Sequence, residues 1–266
     1  MRSQKHRASR TEAYGKMSAR GGALFLARWT TDWDCGYDTG WWHCIKDSAF
    51  DIYAINQNYR YKIRKGSKQF EVKQIAPLQY EEELYSVQAA AFSAYPTAYR
   101  PSVNYDAFIK SIEGWKKSIT FGAFFKETGR LCGYAQIIDH GSYLSLSVQK
   151  TDPAYEKYQI NAAIVYQILQ DYDERLRNGA YLCDGERNIM HETAFQDYLE
   201  KYFGFRKAFC KLNIAYSPKI KWAVSILYPF RKMLSKIDIK LFKQITAVLK
   251  MEEIVRKEQK HEHLAD

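Results

Sequence analysis

The order of apolar patterns after residue 69 limits the possible folds of this chain more than any other feature of its sequence. Strand-like runs alternate with stretches in which apolar residues recur at spacings of three and four, as on one face of a helix. Strands are predicted over 70–75, 119–125, 131–138, 143–148, 180–184 and 208–216, and helices over 78–94, 105–117, 153–176 and 191–203. The order strand, two helices, three strands, helix, strand, helix, strand predicts an α/β domain.

Turn residues and helix boundaries support this order. Short turns ending at Gly129 and Gly141 join the three central strands into a meander. Pro153 is expected to open the long helix, because a first turn tolerates the missing N–H of proline, and Gly179 is expected to end it. A short strand and a helix, containing a basic segment over 60–65, are predicted between residues 41 and 66.

Composition limits the classes of protein that this chain can belong to. Its 266 residues, 46% of them hydrophobic, can fill a core, and the formal net charge of +10 favours an anionic partner such as a phosphorylated cofactor, RNA or an acidic membrane surface. A basic surface that only aids solubility explains the charge equally well. Residues 1–22 are predicted to form a basic flexible arm.

Neither a secretion signal nor a membrane span is expected, because no apolar stretch is long enough, so the sequence predicts a soluble, cytoplasmic protein. No two cysteines are spaced as a CxxC pair, so we expect neither a metal site nor disulfides. They are Cys35, Cys44, Cys132, Cys183 and Cys210.

The order of elements over residues 68–217 resembles that of the GNAT superfamily of acyl-CoA-dependent N-acyltransferases. The resemblance implies a mixed, mostly antiparallel sheet with flanking helices and a central pair of parallel strands, between which the acyl donor binds. We therefore predict a basic arm over 1–22, a lead-in over 23–67, a GNAT-like domain over 68–217 and a basic helical tail over 218–266.

The junction after Val148 resembles the donor-binding junction of GNAT enzymes. It runs Pro-Ala-Tyr-Glu-Lys-Tyr-Gln-Ile-Asn from residue 153 to residue 161, with Lys157, Gln159 and Asn161 where glycines usually stand. The resemblance implies that backbone N–H groups here hold the pyrophosphate of acyl-CoA, with charge from Lys157. An ordinary helix start is the alternative. The predicted donor-binding residues are Val148, Tyr155, Lys157, Tyr158, Gln159, Asn161 and Asn188.

Two carboxylates follow the other strand of the predicted parallel pair. Glu186, or in second place Asp184, is expected to take the proton from an attacking amine, with His191 nearby. The alternative is that these side chains serve only the backbone of a loop and the next helix. On that helix, Tyr198 or Tyr202 resembles the GNAT tyrosine that protonates the departing thiolate, whereas an aromatic core is the alternative.

The same stretch also resembles the Fem-type peptidoglycan-bridge aminoacyltransferases, through Asn161, Asp184, Phe195 and the pair Phe203-Gly204. That resemblance implies aminoacyl-tRNA as the donor and an amine on a sugar or cell-envelope precursor as the acceptor. A third hypothesis is a GNAT-fold binding module without catalysis, since the donor junction lacks the glycines usual in GNAT enzymes.

The segment after Pro218 has a helical pattern of apolar residues among many lysines, with a break expected at Pro229. Such helices either pack against the domain or a second subunit, or lie on a membrane surface with a basic polar face. The sequence favours packing.

Overall fold

The computed structural model describes residues 26–95, 97, 100–189, 194–237 and 239–265, without the side chains of residues 240, 241 and 260–265. The predicted basic arm over 1–22 and His191 lie outside the described residues.

The described part of the chain contains nine strands. These are β1 (Leu26–Thr31), β2 (Trp42–Lys46), β3 (Phe70–Ile75), β4 (Ile119–Phe125), β5 (Arg130–Asp139), β6 (Tyr143–Thr151), β7 (Tyr181–Glu186), β8 (Arg206–Phe209) and β9 (Lys211–Tyr216). The helices are α1 (Gln57–Gln69), α2 (Glu81–Ser93), α3 (Tyr105–Ile112), α4 (Ile160–Asp171), α5 (Asp173–Arg177), α6 (Ala194–Phe203), α7 (Pro218–Leu227), α8 (Arg231–Leu234) and α9 (Lys240–Ala265).

Seven strands form one sheet in the order β3-β4-β5-β6-β7-β2-β8. β3 to β6 are an antiparallel meander, and β6 pairs in parallel with β7. β1 pairs antiparallel with β9 in a separate sheet of two strands. The mostly antiparallel mixed sheet, its parallel pair, the flanking helices and the C-terminal helices confirm the predicted fold class.

The central strands are buried on both faces because helices cover both sides of the meander. Phe121 and Ile137 belong to one core cluster together with residues of α4 such as Ile164. Phe124 and Tyr134 belong to another, together with residues of α2 and α3. Removing these apolar surfaces from water is the main favourable term in folding the meander.

One predicted helix is wrong at its start. The sequence predicts a continuous helix from Pro153, but residues Pro153–Tyr158 form a 3-10 helix and α4 begins only at Ile160. Gln159 between them has left-handed backbone angles, φ 67° and ψ 40°, which end the first helix. A non-glycine residue in this region costs roughly 1 to 3 kcal/mol, so the surrounding packing must hold it there.

The prediction of one continuous last strand over 208–216 is wrong. This stretch is divided at Cys210 into β8 and β9, which belong to different sheets. The apolar pattern continues through the break because residues on both sides of it are buried, among them Ala208, Cys210 and Leu212.

The contacts divide the chain into two compact units. Unit 1 comprises Met1–His43, Glu186–Ala194 and Lys207–Asp266, and unit 2 comprises Cys44–Gly185 and Phe195–Arg206. The domain bounds predicted from the sequence remain a prediction.

Within unit 1, β1 and β9 pair from Leu26 opposite Tyr216 to Thr31 opposite Lys211. Met251 of α9 packs in a buried cluster with Trp41 and Leu212. A second cluster joins Val224 of α7 to α8 and α9. Among the residues that the structure describes, no helix is long and apolar enough to cross a membrane.

Candidate functional site

Strands β6 and β7 of unit 2 pair over only three residues before they separate. Tyr143 lies opposite Tyr181, and the last pair joins Ser145 to Cys183. Beyond that pair, β6 continues to Thr151 and stays paired with β5 alone. The edge of β6 that faces away from β5 therefore has no strand partner in β7 after Ser145.

A β-bulge in β6 accounts for this divergence. Leu146 lies opposite Ile137 and Val148 lies opposite Gln136, so Ser147 is an extra residue in β6. Its hydroxyl donates a hydrogen bond of 3.2 Å to the carbonyl oxygen of Gln136. A bulge bends its strand and increases the local twist, which turns β6 away from β7.

The start of α4 follows the diverging end of β6. Gln159 is the N-cap of α4, and its side chain makes no capping hydrogen bond. The N–H groups of the first helical turn lack intrahelical acceptors, and together with the helix dipole they favour an anion. These are the physical properties that the predicted donor junction requires.

Asn161 connects α4 to β6 through its side-chain oxygen. Gln149 Nε2 donates a hydrogen bond of 2.8 Å to Asn161 Oδ1, and Thr151 Oγ1 lies 3.5 Å from the same oxygen. Gln149 Oε1 is buried and accepts no hydrogen bond from the described residues. An unsatisfied buried acceptor costs about 1 to 3 kcal/mol, so this atom would favour a ligand that donates to it.

The other predicted donor-binding residues of unit 2 are placed differently. Tyr155 and Tyr158 pack against Phe125 in the core, with ring centroids 5.2 and 5.0 Å from the Phe125 ring. Lys157 is exposed, and its Nζ lies 5.0 Å from the centroid of the Tyr158 ring. Val148 packs against the cluster formed with α2 and α3. Contacts with a donor from 153–159 would thus come from the backbone and Lys157.

Asp184 follows the last parallel residue pair directly. Burial raises the pKa of its carboxyl group to about 7, while a hydrogen bond with Gln196 opposes part of that rise. A carboxyl group with this pKa is about half ionised at neutral pH and can accept a proton there. Gly185, the next residue, has φ of +100°, a conformation that side chains rarely permit.

The two predicted acid tyrosines lie in a row of aromatic rings along α6. Tyr198 and Tyr202 have ring centroids 4.7 Å apart, and Tyr59 of α1 lies 4.5 Å from Tyr202. Burial raises the pKa of Tyr198, so its phenol stays protonated at neutral pH and can donate. Lys62 Nζ donates a hydrogen bond of 3.0 Å to the hydroxyl of Tyr202.

Glu186 and Asn188, predicted as base and donor ligand, belong to unit 1. Glu186 forms an ion pair with Arg28, whose guanidinium also lies over the ring of Trp41. A base role for Glu186 would require the acceptor amine to compete with Arg28. Asn188 is exposed.

Sequence reasoning missed Gln149, Gln196 and Arg28 as members of these arrangements. Gln149 was detectable as a polar residue just beyond the predicted end of β6. Gln196 and Arg28 give no sequence signal, because each is brought to its carboxylate by the fold. In the described portion of the chain, no group of three or more His, Cys, Asp or Glu residues is arranged to hold a metal ion.

No protein-family model matches this sequence, and no curated protein matches it. A conserved protein of unknown function from Bacteroides thetaiotaomicron VPI-5482 is similar in structure, with 14% identity, a TM-score of 0.49, and coverage of 76% of this chain and 66% of that chain. The structure of L-PGS from Bacillus licheniformis has 12% identity, a TM-score of 0.45, and coverage of 81% and 69%.

The PaiA N-acetyltransferase from Thermoplasma acidophilum, in complex with coenzyme A, has 14% identity and a TM-score of 0.32 over 40% of this chain and 73% of that chain. This chain therefore spans about two thirds to three quarters of these proteins. Sequence identities and TM-scores this low give no evidence about activity, so the activity of this chain must be argued from its own residues.

Proposed function

We propose that this chain transfers an acyl group from acyl-CoA to an amine, with Asp184 as the general base. The observation that carries the proposal is the half-buried carboxyl of Asp184, whose pKa is raised to about 7 by desolvation, at the point where the parallel strands separate. Between β6 and the start of α4, the unpaired strand edge and the first-turn N–H groups are suited to an extended phosphorylated donor.

The roles of the residues follow from their protonation states. The carboxylate of Asp184 removes one proton from the acceptor ammonium, and the amine nitrogen then attacks the thioester carbonyl carbon. The nitrogen loses its second proton to solvent as the tetrahedral intermediate collapses, and Asp184 afterwards releases its own proton to solvent. The bond between carbon and sulfur breaks, and the thiolate takes a proton from the Tyr198 phenol. Tyr198 then regains a proton from solvent. The products are an amide and a free thiol. In the Fem-type resemblance the acceptor amine belongs to a sugar or cell-envelope precursor.

Replacing Asp184 with Asn tests the base directly. We expect kcat to fall by roughly 10²- to 10⁴-fold with little change in acyl-CoA binding, because only the proton acceptor is removed. In the parent, kcat/KM should rise with pH through about 7, following ionisation of Asp184. Steady-state kinetics across pH measure both effects.

Two further variants separate the carboxylates. Glu186→Gln should lower kcat by less than about tenfold, because Glu186 is held by Arg28. Asp106→Asn changes an exposed carboxylate on α3 and serves as the matched control. A large loss in Glu186→Gln with unchanged Asp184→Asn would return the base role to Glu186.

Lys157→Ala tests the donor phosphates. Losing one exposed charge should weaken binding of CoA by roughly 5- to 150-fold at low salt, and the difference from the parent should shrink as salt rises. Titration calorimetry with CoA at two salt concentrations measures this. Equal affinities at low salt would show that the phosphates bind elsewhere.

One observation favours aminoacyl-tRNA as a second candidate donor. Gln57, Arg60, Tyr61 and Arg64 line a shallow, open depression along one face of α1. Arginines beside an aromatic ring suit phosphate and base contacts of a nucleic acid.

Titrations with acetyl-CoA, desulfo-CoA and an aminoacyl-tRNA decide between the donors. Binding of acetyl-CoA and desulfo-CoA supports the proposal. Binding of the tRNA alone would replace acyl-CoA as the donor. Binding without any turnover, over a panel of amines, would favour a binding module without catalysis.

A further inference from the structure

The segment from α7 to α8 in unit 1 exposes a row of large apolar side chains. Their exposed fractions are 71% for Trp222, 45% for Ile226, 52% for Phe230 and 60% for Met233. α7 and α8 are joined by a 3-10 turn, Tyr228–Phe230, so the backbone stays helical through the segment. Spacings of four, four and three residues then place the four side chains on the same side, because neighbours three and four apart share a helix face. We call these four residues the apolar row.

The opposite side of the same segment is already packed. Val224 of α7 and Leu234 of α8 are buried in a cluster with Leu249 of α9. The packing of this side satisfies the need of an amphipathic helix to bury one apolar face. The apolar row is therefore a second apolar face, and packing within unit 1 does not explain why its side chains are apolar.

The charges around the apolar row indicate what covers it. Between Ser217 and Ile237 the sequence has five basic residues and no acidic residue. Four of the basic side chains are exposed lysines: Lys219, Lys221, Lys232 and Lys236. An apolar face bordered by lysines matches a bilayer with anionic headgroups, where apolar side chains enter the acyl boundary and lysines remain among the phosphates.

A second copy of the chain is a poorer occupant. A two-fold symmetric interface places the same patch on both sides, so lysines would face lysines across it. Like charges brought together in this way oppose association. Anionic lipid supplies the opposite charge instead.

We propose that the apolar row and its lysines dock this protein on the surface of an anionic phospholipid membrane. The docking is peripheral, with α7 and α8 lying along the interface and their other side still packed on α9. The surface is independent of the proposed transferase site, because it uses only residues of unit 1.

Vesicle flotation tests the proposal with the full chain. We expect binding to vesicles of phosphatidylcholine containing phosphatidylglycerol, and much weaker binding to phosphatidylcholine alone. Trp222→Ser and Phe230→Ser should each weaken binding about tenfold, since each removes a large apolar side chain from the interface. Lys221→Gln with Lys232→Gln should weaken it about fivefold for each charge, and only on anionic vesicles.

Leu78→Ser is the matched control, because Leu78 is 53% exposed in unit 2, outside the apolar row. It should bind as the parent does. The tryptophan emission of the parent should shift to shorter wavelength with anionic vesicles, and Trp222→Phe should lose most of the shift. Circular dichroism of each variant confirms that it is folded.

Three results would overturn the proposal. These are failure of the folded parent to float with anionic vesicles, binding that the Trp222 and Phe230 variants retain in full, and binding that does not depend on anionic lipid. Self-association in sedimentation velocity that Trp222→Ser abolishes would assign the apolar row to a second copy.

Discussion

Asp184 and His43 have opposite pKa shifts with the same cause, which is that burial disfavours the charged form of each side chain. Burial raises the pKa of Asp184 to about 7. Burial, and then the nearby positive charge of Arg28, lowers the pKa of His43 to about 4. The two residues lie in different units and should affect stability in opposite directions with pH.

The contribution of Asp184 should fall as pH rises. Between its unfolded pKa of about 4 and its folded pKa of about 7, the folded chain keeps a proton that the unfolded chain has lost, so the free energy of unfolding decreases by up to about 4 kcal/mol. Asp184→Asn should remove this decrease. Denaturant unfolding at several pH values measures it, and identical slopes in variant and parent would contradict the raised pKa.

The contribution of His43 should fall as pH decreases. Between its unfolded pKa of about 6.5 and its folded pKa of about 4, the unfolded chain binds a proton that the folded chain does not, which favours unfolding by up to about 3 kcal/mol. His43→Gln should lose this acid sensitivity. Nuclear magnetic resonance titration of the imidazole checks the pKa directly, and a normal value would disprove the prediction.

At this scale the sequence could name candidate side chains but not their environments. Asp184 and Glu186 are two residues apart on β7, and sequence reasoning ranked Glu186 first. The structure gives Asp184 a half-buried site beside Gln196 and gives Glu186 an ion pair with Arg28, which is 158 residues away in the chain. Contacts between residues so distant in sequence leave no trace in local spacing.

Helix α1 packs closely against the start of α4 through one glycine. A Cβ atom placed on Gly66 would lie 2.5 Å from the backbone oxygen of Gln159 and 3.1 Å from the nitrogen of Ala163. Backbone atoms cannot move away as a side-chain end can, so the helices would have to separate. The absence of a side chain at Gly66 thereby allows the backbone at Gln159 to lie directly against α1.

Gly66→Ala should therefore destabilise unit 2 by about 1 to 3 kcal/mol, as overpacking in a core does. It should also weaken donor binding, because the first turn of α4 would shift. Gly114→Ala is the matched control, since nothing lies within 4 Å of the Cβ there. Thermal unfolding of both variants measures the loss of stability. Equal melting temperatures would mean that α1 shifts to accommodate the added methyl group without destabilising unit 2.

Element types and their order were predictable, because apolar periodicity reflects which face is buried. The break at Gln159 was not predictable, because the pattern of Tyr155, Tyr158 and the α4 residues is compatible with one helix. The left-handed angles of Gln159 end the 3-10 helix, and its backbone lies against Gly66 of α1, a tertiary contact that local propensity does not include.

Each unit is assembled from separate stretches of the chain. Unit 1 takes its parts from three ranges, and unit 2 takes its parts from two. The sequence predicts domains as continuous ranges, since composition changes only along the chain. Pairing of β1 with β9 joins strands that only the folded molecule brings together, so no local pattern indicates it.

A chain ending at Ser217 should lose the stability of unit 1. It keeps β1 and β9 but lacks α9, whose Met251 packs with Trp41 and Leu212. Each buried apolar side chain lost costs about 1.5 to 3 kcal/mol. Hydrogen exchange of the amides in β1 and β9 should therefore become much faster.

A chain ending at Gln259 is the control for this truncation, because it retains every described member of that cluster. Its exchange in β1 and β9 should match that of the parent. Full protection in the chain ending at Ser217 would show that the two strands are stable without α9.

The pairing of β1 with β9 also sets a minimum time for folding during synthesis. Leu26 is among the first described residues to leave the ribosome, and its partner Tyr216 is translated much later. At about 5 to 20 residues per second, roughly 10 to 40 s separate the two strands, and β1 must wait for that interval without its hydrogen-bonding partner. A nascent chain of this protein thus carries an unpaired strand while unit 2 is still being made, which is when a chaperone would protect it most.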